Sequence, residues 1–249
     1  MKQFKDLAVV LKRKNFGEAD NLITVFSKNH GKLEILAKGS KKIKSKFMGH
    51  LEPFSLVKIS VVLGRSFGIL TSVQLEKSFL YLKEDLNKLS LVNLISEITD
   101  SVTLEGASNF KVFDLILKTL SSNTWKSKPR LVSLFFLIKL LEFLGYAPHL
   151  DCCVKCRNEN SKLNYFSYYW GGVLCKDCKD SYPLEKIDRE TLSIFRKLQS
   201  TKAFDIDKIE EDFNSDSNDK KALYFISNFF SFINDKKPNS LKFVEKLSE

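Results

Sequence analysis

From residue 6 to about residue 80, apolar residues come in short runs with polar neighbours, the spacing of strands rather than helices. "DLAVVLKRKNF" is rich in β-branched residues. "NLITVFSKNHGKLEILAKG" sets two apolar runs about "KNHG", a hairpin pattern in which Gly31 is able to take a positive φ. "FSLVKISVVLGRSFGILTSVQLEK" is a second pair of runs, turning at "LGRSFG". About five short antiparallel strands in so small a segment predict a compact barrel, with the OB-fold leading and an SH3-like barrel fitting the pattern nearly as well.

From about residue 83 the period changes. Leu86, Leu89, Val92, Leu94, Ile95, Ile98 and Val102 recur at three- and four-residue spacing, and Gly106 stops the pattern. "NFKVFDLILKTLSS" predicts a second helix. "PRLVSLFFLIKLLEFLGY" predicts a third, with Pro129 in its first turn and Gly145 as its C-terminal cap. Apolar residues surround its axis, which places it at the centre of a helical bundle. "DRETLSIFRKLQS" follows, with Asp188 as N-cap. "EEDFNSDSNDKK" reads as an acidic linker, and "KALYFISNFFSFIND" as a closing amphipathic helix. The predicted class is α+β and multidomain: an OB-fold barrel over 1–80, then a mainly helical domain over 81–249 with a zinc-binding insert at about 148–182.

Charge sharpens this division. Residues 1–80 hold 13 Lys and 2 Arg against 6 acidic residues, a net of +9 out of the chain's +10. A proteome-wide lysine bias would spread evenly, and this one does not. A basic front end predicts a polyanionic partner, nucleic acid first. The start of the chain has no apolar signal-peptide core. The most apolar stretch carries Lys139 and Glu142 and is too short to cross hydrocarbon. A cytoplasmic, nucleoid-associated protein is expected, and in that reducing compartment clustered cysteines point to metal or redox chemistry.

All 5 cysteines fall between Cys152 and Cys178. Cys153-x-x-Cys156 and Cys175-x-x-Cys178 are separated by 18 residues, the spacing of two thiolate knuckles that share one ion. Four sulfurs leave no open coordination position, so structural Zn2+ is expected. A redox dithiol is the rival, but it needs one pair at a helix N-terminus in a βαβ setting, and no parallel-sheet pattern surrounds these cysteines. His149 is a weaker alternative ligand, and Cys152 is the expected spare thiol.

"AKGSKKIKSKFMGH" holds Lys38, Lys41, Lys42, Lys44 and Lys46, just after a predicted strand. Lysines supply phosphate contacts without reading sequence. Arg13, with Lys12 and Lys14, extends the track. Phe16, Phe26, Phe47, Phe54 and Phe67 are candidate platforms for bases, although core packing is the ordinary role of any one of them. Five neutralised phosphates would give log affinity a slope of about −4 against log salt.

These pieces resemble the RecO recombination mediators of bacterial DNA repair. "GEADNLITVFSKNHGKLEILAKGSKKIKSKFMGHLEPFSLVKI" resembles that family's OB-fold segment, including Glu18, Asp20 and Gly31. "FLGYAPHLDCCVKC" and "GGVLCKDC" resemble the zinc-containing insert of its helical domain. The resemblance implies binding to single- and double-stranded DNA, annealing of complementary strands, and work in DNA damage repair with RecR and single-stranded-DNA-binding protein. It also implies help in loading RecA, and no nucleotidase activity. The chain departs in its second adjacent cysteine, Cys152, and in having lysines where arginines are usual, which keeps charge but loses bidentate recognition. No Walker loop, Rossmann fingerprint or catalytic triad pattern is present, so no enzyme is expected. A zinc-ribbon protein acting on RNA, in transcription or ribosome assembly, is the alternative, with a dithiol oxidoreductase behind it.

Overall fold

The protein is described by a computed structural model covering residues 3–47, 49–64, 67–158, 162–179, 182–208 and 216–246. Its chain forms two compact units, Met1–Ser121 and Ser122–Glu249.

The first unit is built on a closed five-stranded barrel of β1 (Gln3–Phe16), β2 (Asp20–Ser27), β3 (Gly31–Ala37), β4 (Ser55–Leu63) and β5 (Gly68–Ser78). The strand order is β1-β2-β3-β5-β4, and β4 returns to pair with β1. This is the OB-like order, and it excludes the SH3-like alternative. One pairing differs from the antiparallel expectation: β3 meets β5 in parallel at Ile35–Gly68 and Leu36–Ile69, where the two strands close the barrel.

β1 is long because it serves two neighbours. Its first half pairs with β4, from Gln3 opposite Val62 to Val9 opposite Leu56. Its second half pairs with β2, from Ala8 opposite Ser27 to Phe16 opposite Asp20. A register shift between Val10 and Lys12 bends the strand between these duties. The ladder is disrupted there, and the carbonyls find other donors: Val10 O accepts from the Phe54 N–H at 2.8 Å, and Leu11 O from Ser96 Oγ at 2.8 Å. Ala8, Val10, Ile23, Val25, Ile35, Val57 and Ile59 fill the interior.

α1 (Leu86–Val102) and α2 (Phe110–Ser121) belong to this first unit. The change from strand to helix falls near residue 80, while the compact unit runs on to Ser121. Asp85 caps α1, accepting from the Asn87 and Lys88 N–H groups. Lys32 on β3 pairs with Asp100 on α1 at 3.4 Å. Gly31 has φ of 66°, and a Cβ there would lie 1.9 Å from the Ala107 carbonyl oxygen. Gly31→Ala therefore meets both a left-handed backbone and backbone that cannot yield. A loss of about 2 kcal/mol or more is expected, read as a lower denaturation midpoint at unchanged m-value.

The second unit centres on α3 (Pro129–Leu144), which packs against α4 (Arg189–Ser200) and α5 (Asp216–Asn234). Every residue from Leu131 to Leu141 is buried. Lys139 is buried among them, held by Glu142 at 2.9 Å and by the Gln199 carbonyl at 2.7 Å. Gly145 ends α3 with φ of 83°, and Asp188 caps α4 through the Thr191 N–H at 2.7 Å. Residues 210–215, the first part of the expected linker, lie outside the described residues; from Asp216 the chain is already α5. α6 (Asn239–Lys246) follows. Among the described residues, no helix is long and apolar enough to cross a membrane.

Candidate metal centre and nucleic-acid face

Between α3 and α4 a small sheet forms from β6 (Leu163–Ser167), β7 (Gly172–Cys175) and β8 (Leu184–Lys186), in the order β7-β6-β8. The first cysteine pair precedes it. Arg157 follows Cys156 with φ of 59°, and its N–H bonds to the Cys153 carbonyl at 2.9 Å, closing the first knuckle. The second pair starts at the end of β7 and turns in a short 3-10 segment from Lys176 to Cys178. Val154 N–H to Val173 O, at 3.0 Å, brings the two knuckles together. Gly172 permits this approach: a Cβ there would lie 2.5 Å from Val154 Cγ1 and 2.6 Å from the His149 carbonyl oxygen.

The sulfurs of Cys153, Cys156, Cys175 and Cys178 all lie within 4.8 Å of one another. Cys156 Sγ and Cys175 Sγ are 3.8 Å apart, far beyond a disulfide bond. A tetrahedral ion with ~2.3 Å metal–sulfur bonds sets its ligands ~3.8 Å apart, so this donor set fits a metal ion. Burial raises the Cys153 thiol, but N–H groups of Cys156, Cys175 and Lys155 outweigh it and bring it down to about 6. Hydrogen bonds from Cys178 to Cys156 and then Cys175 push its thiol up to about 12. Four sulfurs this close resist joint ionisation, and a bound cation is what allows it. Cys152 lies outside the cluster, and so does His149, whose side chain is exposed.

The lysine run lies in the β3–β4 connection of the barrel. That loop is tied to the β1–β2 turn: Lys41 N–H bonds to Ala19 O at 3.0 Å, and Gly39 N–H to Asp20 Oδ1 at 2.7 Å. Asn21 Nδ2 donates to Ser40 Oγ at 2.8 Å. Lys41 Nζ reaches Gly17 O at 2.8 Å, and Lys46 Nζ reaches Thr71 O at 2.9 Å. Lys38, Lys42 and Lys44 stand exposed. Arg13 is differently placed. It bonds Glu52 at 2.6 Å, and Lys83 holds the other oxygen at 3.2 Å. Burial raises the Glu52 carboxyl, but Lys83 and Arg13 outweigh it and hold it below the ordinary range. Arg13 thus enters this face already paired.

The phenylalanines separate cleanly. Phe26, Phe47 and Phe54 are buried in the first unit. Phe16, 42% exposed at the β1–β2 turn, meets Phe67 of the β4–β5 turn edge-on at 5.9 Å. The loops joining strands 1–2 and 4–5 are where OB barrels take ligands. Gly17, which anchors Lys41, is the next residue after Phe16. The sequence offered five equivalent rings, and only closure of the barrel picks this pair.

The family model described as Recombination protein O N terminal matches residues 1–79, and that described as Recombination protein O C terminal matches residues 83–231. The chain belongs to the RecO family. Named relatives agree along most of this RecO-family chain. A DNA repair protein RecO from Dehalococcoides mccartyi is 28% identical, covering 98% of this chain and 96% of its own. One from Alkaliphilus metalliredigens is 32% identical over 81% of this chain and 82% of its own. One from Caldanaerobacter subterraneus subsp. tengcongensis is 32% identical over 73% of each. The two family segments meet between 79 and 83, where the strands end and α1 approaches.

Proposed function

We propose that this protein is a mediator of DNA repair and homologous recombination, without catalytic chemistry of its own. It binds single- and double-stranded DNA through the barrel, anneals complementary strands, and with RecR helps load RecA onto DNA coated by single-stranded-DNA-binding protein. The observation that carries this reading is the exposed lysine loop beside Phe16 and Phe67 on an OB-like barrel of a RecO-family chain. Lysine ammonium groups neutralise phosphates on both strands and reduce their mutual repulsion, and the aromatic pair offers unpaired bases a stacking surface. The four sulfurs would hold Zn2+, whose chemistry here is structural: it fixes the two knuckles and the hairpin between them.

The test is annealing of complementary oligonucleotides coated with single-stranded-DNA-binding protein. The full chain is expected to raise the rate well above the spontaneous one. Annealing no faster than in buffer would overturn the reading. Preference for RNA oligonucleotides in competition would favour an RNA-binding role instead.

A further inference from the structure

The turn between β6 and β7 spans Tyr168 to Gly171, with Ser167 and Gly172 paired at its base. Trp170 N–H donates to Ser167 Oγ at 3.3 Å, and Gly171, with φ of 62°, donates to Tyr168 O at 3.3 Å. Within this tight turn the rings divide. Tyr168 packs inward against Phe166, Phe225 and Phe229. Tyr169 and Trp170 face solvent, 55% and 43% exposed. Tyr169 lies flat on Tyr182, with centroids 4.1 Å apart and planes 6° from parallel, and Trp170 meets Tyr169 edge-on at 5.4 Å. Lys155, from the first cysteine knuckle, sets its ammonium 5.5 Å from the Trp170 ring centre. A cleft of about 420 Å³ opens beside them, lined in part by Tyr146, His149 and Phe232.

Exposed aromatic rings in a cluster mark an interaction site, since covering them takes apolar surface out of water. What the site takes follows from its chemistry. Tyr169 already stacks flat on a planar ring, as a base would on Tyr169 itself. The cation over Trp170 stands within reach of a phosphate attached to a stacked base. We infer that this turn is a second single-strand contact, in which unpaired bases stack on Tyr169 and Trp170 while Lys155 meets the adjoining phosphate. The inference rests on the reading that the chain handles single-stranded DNA, but it does not use the lysine loop. It gives each compact unit a hold on nucleic acid, and annealing needs two strands held at once.

The chain's own fluorescence tests it. Of 2 tryptophans, Trp125 is wholly buried and Trp170 is exposed, so a change in emission on adding an oligo-dT strand reports Trp170. Quenching that saturates with DNA is expected in the full chain. It should persist, at higher DNA concentration, in a Lys38→Glu, Lys42→Glu, Lys44→Glu variant, and vanish in Trp170→Phe. A Tyr169→Ala, Trp170→Ala variant should keep its metal and its far-ultraviolet circular dichroism while annealing about tenfold more slowly. If anisotropy of a labelled oligo-dT shows binding while Trp170 emission stays constant, the turn does not hold DNA, and a peptide is its better occupant. If the unmodified chain binds no DNA by anisotropy, the proposed function falls along with this site.

Discussion

Cys175→Ser is expected to abolish stoichiometric metal binding and with it the order of the segment from about residue 148 to 186. Structural zinc sites contribute roughly 10–16 kcal/mol of apparent binding free energy in small modules, which matches or exceeds the whole stability of a typical domain. The sheet leans on α5 through Phe166 and Tyr168, but the knuckles themselves have little else to rely on. β7 has four residues and β8 three, and the local cluster of buried residues is Cys153, Leu174 and Cys175, two of them ligands. Atomic emission should find about one metal ion per unmodified chain and almost none in the variant. Near-ultraviolet circular dichroism should lose the signal of the tyrosines and tryptophan on the hairpin. Chelation of the unmodified chain should do the same, more readily as pH falls, because protons compete for the thiolates. Cys152→Ser is the control and should keep its metal. A variant at Cys152 that lost the ion would mean that the wrong neighbour has been taken as the ligand.

The second large effect is on DNA. Lys38→Glu, Lys42→Glu and Lys44→Glu together should weaken binding on the order of 100-fold at moderate salt, and flatten the dependence of log affinity on log salt by about 3. These three are chosen because they stand exposed, whereas Lys41 and Lys46 also hold the loop to Gly17 and Thr71. The fold should therefore survive, and the melting temperature checks that it does. Arg13→Ala should behave differently, since its guanidinium is paired with Glu52 at 2.6 Å and its removal leaves that carboxylate to Lys83. Equal affinity and equal salt slope in the triple variant would move the DNA site elsewhere on the molecule.

Much of this was legible in the sequence for definite reasons. The hairpin at "KNHG" is local, and Gly31 marks it because only glycine suits both its φ and the approach of Ala107. The paired cysteines are legible because two knuckles impose their own spacing. What escaped depends on contacts between residues far apart in sequence. Nothing near Arg13 announces Glu52, 39 residues on. The parallel closure of β3 on β5 involves two residue pairs and leaves no periodic trace. The division of the phenylalanines depends on which turns the barrel brings together. The extent of the first unit depends on Ser96 and Asp100 reaching back to Leu11 and Lys32, which the helical period alone does not encode.

The anchoring of the β3–β4 loop has a consequence for kinetics. Main-chain bonds at Gly39 and Lys41, with the Asn21–Ser40 bridge, set the loop's course before any ligand arrives. On the proposed DNA-binding role, little ordering entropy then remains to be lost on binding, and the ammonium groups would meet each strand at the same spacing. In that proposed role, counterion exchange rather than refolding of the loop is expected to govern turnover from one strand to the next. For the annealing role proposed above, in which a strand is accepted, matched and let go as duplex, rapid release serves better than a tighter grip.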